Sequence, residues 1–187
     1  TIVRNNQSAD DGGGIRNSGT LFLINAAVID NVSIGTSFTS GGGGLLNDQS
    51  GTATIINSTF SGNTAQNGGA IRNDGSLSLH NATLSGNSAT FQFGGGGAIA
   101  NSTGTVDILN STITNNVAAG SGAGISTTSA VTVANSIIAA NQGDKDVAAV
   151  SALGQTGSFT SNGNNLIGNG GTGNGFTNGT NGDQVGT

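Results

Sequence analysis

The groups with which this chain could do acid–base, metal or nucleophilic chemistry are few: nine Asp and no Glu, one His, four Lys and Arg together, and no Cys in 187 residues. The densest cluster is Asp144-Lys145-Asp146. Its two carboxylates, with Asp183 and nearby carbonyls, make the oxygen donor set that Ca²⁺ takes, so Asp144, Asp146 and Asp183 are the candidate metal ligands. The competing reading is an exposed acidic turn, because no loop follows the nonapeptide or twelve-residue calcium patterns. Hydrolysis of a glycosidic bond needs two carboxylates facing one groove, and elimination needs a base beside a cation. Asp107 has Ser78 and Thr132 in the equivalent places on neighbouring repeats, Asp10 and Asp11 fall in a turn, and His80 lies between Ile56 and Leu109. The sequence therefore points to no catalytic residue, and to no cofactor other than Ca²⁺.

What positions these groups is a repeat. Asn25 and Asn31, Asn57 and Asn63, Asn81 and Asn87, Asn110 and Asn116, and Asn135 and Asn141 share one spacing, and Asn6 opens the series. A glycine phrase precedes the pairs, as in Gly12-Gly13-Gly14-Ile15-Arg16-Asn17 and Gly68-Gly69-Ala70-Ile71-Arg72-Asn73. The second Asn recurs every 24 to 32 residues, the length of one solenoid coil. The variation is confined to one corner, which runs from Val32 to Ser40 in one repeat and only from Thr64 to Asn67 in another. Phe38, Phe91 and Phe93 lie in the two long versions of that corner and are the candidate partner surface.

Alternation as in Ser76-Leu77-Ser78-Leu79 is the period-two signature of half-buried strands. It predicts three short strands per coil and three inward columns. Ile15, Leu45, Ile71, Ile99 and Ile125 form the first, and Leu23, Ile55, Leu79, Ile108 and Val133 the second. Val3, Val28, Phe60, Leu84, Ile113 and Ile138 form the third. The fold class is all-β, a right-handed single-stranded parallel β-helix of about six to seven coils. Residues 1–143 are regular coils, and residues 144–187 carry a degenerate final coil and a Gly/Asn-rich tail of the same domain. Asp146-Val147-Ala148, Ser158-Phe159-Thr160 and Asn165-Leu166-Ile167 supply the strands of one more coil, with Phe176 and Val185 in a degenerate coil or loop. The repeat is already running at Thr1, which reads as an excerpt of a longer chain.

Composition agrees. Thirty-five Gly and no Pro suit a chain that turns every few residues while keeping its backbone donors. Asn at the strand ends has two natural roles: it tolerates the left-handed conformation, and its amide bonds to the Asn one coil above. The Asn-Xaa-Thr sequons at Asn57, Asn81, Asn101 and Asn110 follow from the repeat and read as structural. An excess of Asp over basic residues disfavours nucleic acid, which needs clustered Lys and Arg, and no apolar run approaches the ~20 residues of a membrane span. Arg16 and Arg72 share one outward place, interrupted by Leu46, and read as solvated.

The Gly-Gly-Ala-Ile phrases at 68–71 and 96–99, with Phe60-Ser61-Gly62-Asn63, resemble the GGAI and FxxN motifs of polymorphic outer-membrane protein repeats. The phrase Ser76 to Ala89 and the tail from Phe159, with Gly163-Asn164-Asn165-Leu166-Ile167-Gly168, are similar to large bacterial surface proteins of the choice-of-anchor type. That resemblance implies an extracellular or cell-surface location and an adhesive role. The function expected is a non-catalytic structural or adhesive stalk, whose partner is a surface ligand, a glycan or a second copy. Three other readings stand beside it: a filament subunit stacking end to end, a carbohydrate-binding or polysaccharide-degrading β-helix, and an ice binder carrying the outward pairs Thr59/Ser61, Thr83/Ser85 and Thr112/Thr114.

Overall fold

The computed structural model of the chain describes residues 1–37, 39–92, 95–152, 154–171 and 174–186. Among them there is no helix, and short strands stack coil upon coil into parallel sheets. The first sheet has six strands, from Ile15–Asn17 to Val147–Ala149. The second also has six, from Thr20–Ile24 to Ser158–Ser161. The third has eight, from Ile2–Arg4 to Gln184–Gly186. Register pairs Ile71 with Leu45 and Ile99, Leu79 with Ile55 and Ile108, and Leu84 with Phe60 and Ile113, so the three expected columns form as continuous lines. Like side chains meet at the strand spacing of about 4.8 Å. Phe60, Ile71, Leu84, Ile99 and Ile113 are wholly buried along that line.

Each of the first five coils adds a fourth strand of two residues, such as Gln7–Ser8 or Ser88–Ala89. It lies just after the second Asn of a pair, where alternation is too short to register in the sequence. The last third behaves as its pattern implies. Val147 extends the first column and Ile167 the third, whereas in the second sheet Phe159 pairs with Val131 and Ser161 takes the place below Val133. A degenerate coil follows: Val185 pairs with Ile167, and Phe176 packs on Phe159 with ring centroids 5.6 Å apart. An antiparallel hairpin, Ser151–Ala152 with Gln155–Thr156, leaves the stack between the first and second sheets.

The glycine phrase is explained by two positions. Its first residue turns left-handed in five successive coils, with φ between 59° and 72° at Gly12, Gly42, Gly68, Gly96 and Gly122. Its second residue is pressed against the neighbouring coil: a Cβ on Gly69 would stand 2.4 Å from the Gly97 carbonyl oxygen.

The two members of each Asn pair divide the two roles. The first, at Asn25, Asn57, Asn81, Asn110 and Asn135, turns the corner with φ near 50°. The second, buried from Asn31 to Asn116, forms a ladder in which the N–H and the Nδ2 of one Asn both donate to the Oδ1 of the next. Nδ2···Oδ1 distances are 2.9 Å from Asn6 to Asn31, 3.0 Å to Asn63, and 2.9 Å at each further step to Asn87, Asn116 and Asn141. Each Nδ2 also donates to a strand carbonyl of the coil behind, as Asn87 does to Phe60 at 3.0 Å.

Replacing Asn87 with Ala takes the Oδ1 acceptor from Asn63 N–H and Nδ2 and the Nδ2 donor from the Phe60 carbonyl, and leaves Asn116 Oδ1 with the residue-87 N–H alone. Unpaired buried polar groups cost about 1–3 kcal/mol each. Asn87→Ala is expected to lower stability by roughly 3 kcal/mol or more in urea titrations, while Asn81→Gly at the exposed corner changes it little. Ala140 also sits left-handed, at φ 59°, in a column otherwise held by Asn5, Asp30, Gly62, Gly86 and Asn115. That conformation costs a Cβ-bearing residue about 1–2 kcal/mol, so Ala140→Gly should raise the urea midpoint.

Candidate functional site: the ladder ends and the groove over the first sheet

The candidate metal ligands occupy different structural places. Asp146 lies in the column of Gly14, Gly44, Ala70, Ala98 and Gly124, the residue before each strand of the first sheet. Its side chain ends the Asn ladder: Asp146 Oδ1 accepts Asn141 N–H at 2.8 Å and Asn141 Nδ2 at 2.7 Å, and Oδ2 accepts Asn169 N–H at 2.6 Å. Asp183 ends a second column, in which Ser111 Oγ accepts Ala82 N–H, Ser136 Oγ accepts Ser111 N–H, and Asn165 Oδ1 accepts Ser136 N–H. Asp183 Oδ1 then accepts Asn165 N–H at 2.9 Å and Nδ2 at 3.1 Å. Asp144 Oδ1 accepts Gly122 N–H at 3.4 Å.

Asn passes a ladder on because its amide both accepts and donates, whereas a carboxylate only accepts. The two buried aspartates therefore stand where ladders stop. No group of three or more His, Cys, Asp or Glu side chains gathers among the described residues. Of the candidate partner surface, Phe38 and Phe93 lie outside the described residues. Phe91 is half-buried, its N–H donating to the Gln66 carbonyl at 3.1 Å.

A further ladder crosses the end of the first sheet and was not read from the sequence. Asn17 donates to Asn47, Asn47 to Asn73 and Asn73 to Asn101, each at 2.8 Å, and Asn101 to Thr127 Oγ1 at 3.0 Å. The residue after each rung faces outward. There Asp48 and Asp74 stand on adjacent coils in equivalent places, since Asp48 N–H donates to Asn17 O and Asp74 N–H to Asn47 O. Sequence reasoning missed this pair of carboxylates. Its signal was the identical step from Asn47 to Asp48 and from Asn73 to Asp74.

Arginines from the floor reach these carboxylates. Arg16 Nη2 lies 3.0 Å from Asp48 Oδ2, and Arg72 Nε 3.1 Å from Asp74 Oδ2. Arg16 and Arg72 do share a register place on either side of Leu46. Arg72, however, is not solvated: its side chain is only 13% exposed. The Gln49 N–H and then the Arg16 guanidinium hold the Asp48 carboxyl below its usual range.

Around these ion pairs lies a groove of about 650 Å³. Its floor is the outward face of the first sheet, where Ala100 and Ser126 are each only 9% exposed despite pointing away from the core. They are covered because the chain rises on both sides. Thr39, Asn67 and Ser121 stand on the glycine-phrase side, and Asp48, Asp74, Ser102 and Thr128 on the other. The hairpin contributes Ser151, Ala152 and Gln155. Elsewhere Asp107 lies between Ser78 and Thr132, and His80 bonds to Ser78 Oγ at 2.8 Å. The Thr and Ser pairs of the third sheet are flanked by Ala27, Ile29, Ile137 and Ala139. The chain matches no family model, no curated protein and no solved structure.

The terminator role has a clear test. Asp146→Asn keeps the Oδ1 contacts but faces a donor toward Asn169 N–H, and should cost about 1–3 kcal/mol by urea unfolding. Asp183→Asn retains the two bonds Asp183 accepts through Oδ1 and should be close to neutral. Equal losses at the two sites would contradict the assignment.

Proposed function

We propose that the chain is a rigid, non-catalytic stalk segment at the cell surface or outside the cell, holding other parts of an adhesive protein at a fixed distance. The observation that carries this reading is the unbroken Asn ladder from Asn6 to Asn141, which ties successive coils at the same corner. A β-solenoid gains length by adding coils without enlarging its cross-section, so this design suits a spacer. The commitment of the acidic groups supports it too. Asp146 and Asp183 end ladders, and Asp48 and Asp74 are ion-paired. The resemblance to polymorphic outer-membrane and choice-of-anchor repeats points to the same setting.

The test uses the absence of Cys. Ile2 and Gln184 share an exposed column of the third sheet, the first and last of its eight strands. Seven strand spacings separate them by about 34 Å. Dyes on Ile2→Cys and Gln184→Cys should report one narrow distance near that value in single-molecule energy transfer. A broad or variable distance would contradict the stalk, and release of reducing sugar from a polysaccharide panel would contradict its lack of catalysis.

A further inference from the structure

We propose that the groove over the first sheet is a binding site for a neutral oligosaccharide, laid along the coil axis and held by the Arg72–Asp74 ion pair. Its volume of about 650 Å³ falls in the range of ligand sites, roughly 300–1,000 Å³. Four features of its lining fix the ligand's chemistry.

Charge comes first. The charged groups that line the groove are paired, Arg72 with Asp74 inside it and Asp48 with Arg16, which lies outside the lining. The groove thus offers strong donors and acceptors with no net charge to attract an ion. A guanidinium and a carboxylate side by side suit neighbouring hydroxyls, one accepting from the arginine and one donating to the carboxylate. Rigidity is the second feature. The Arg72 side chain is 13% and that of Asp74 17% exposed, so both are held before a ligand arrives and little ordering cost remains.

Hydroxyl and amide side chains also line it, including Gln49, Ser102, Ser121, Ser126 and Thr128. Between these lie small apolar surfaces, Ala100 and Ala152, against which the C–H face of a sugar ring packs. The last feature is periodicity. Arg72, Ala100 and Ser126 are register partners on successive coils, so the floor repeats about every 4.8 Å. A chain of sugar rings is a repeating polymer of comparable step, whereas a compact metabolite would fill only part of the groove.

The inference does not depend on the stalk reading, since a groove can bind on a short or a long rod. It is tested by isothermal titration of the intact chain with hexasaccharides of glucose, xylose, mannose and N-acetylglucosamine, and with oligogalacturonate as the acidic control. At least one neutral hexasaccharide should bind, and oligogalacturonate should not. Ala100→Trp fills the floor and should abolish binding. Asp74→Asn should weaken it by roughly tenfold, the loss of a charge-assisted hydrogen bond. Thr83→Trp, on the outer face of the third sheet, should bind as the parent does, and circular dichroism establishes that each variant is folded. Absence of binding by all four neutral probes overturns the proposal. So does preference for the acidic oligomer, or binding that survives Ala100→Trp. None of these results would alter the distance between labels on Ile2→Cys and Gln184→Cys.

Discussion

The whole structure depends on the need to satisfy backbone polar groups at corners that are buried in every coil. Strands supply their own ladders, but a corner that turns inward leaves N–H and C=O groups with no strand partner. Asn31, Asn63, Asn87 and Asn116 solve this with one side chain per coil. Each accepts two donors from the coil before it at a single oxygen, and returns Nδ2 to the next rung and to a strand carbonyl behind. All rungs point the same way along the rod. Such chains of aligned amides polarise one another, so a ladder is worth more than its separate bonds.

Directionality has a consequence at the far end. A ladder of amides that always donates forward must finish on an acceptor, and the chain places a carboxylate there twice. Asp146 takes over after the short turn from Asn141, and Asp183 after Asn165. The same acidic residues that look like calcium ligands in a linear reading are thus the terminal acceptors of two columns. Asp146 gives one oxygen to each side of the corner, toward Asn141 and Asn169.

Much of this architecture is legible in the sequence, because a solenoid repeats its constraints. The inward columns through Leu84 and Ile99, the left-handed role of Asn81 and the amide stacking of Asn87 all follow from pattern and residue chemistry. What escapes is what depends on two corners at once. The ladder through Asn47 and Asn73 is hidden inside the glycine phrase, and the pairing of Asp48 with Asp74 appears only when neighbouring coils are aligned at that offset. Arg72 reads as a surface residue because its strand position is outward, yet walls from other parts of each coil cover it. The two-residue fourth strand falls below any periodic signal. A groove is made by relative heights of turns, and those are set by insertions whose length the sequence displays but whose path it does not.

The inner Asn column, not the outer one, holds the coils together. Native-state hydrogen exchange of side-chain amides separates the two directly. The Nδ2 protons of Asn63, Asn87 and Asn116 should exchange as slowly as the backbone amides of Leu84 and Ile113, through the same cooperative opening. Those of Asn57, Asn81 and Asn110 should exchange near the rate of free asparagine. Equal, fast exchange in both columns would contradict the account.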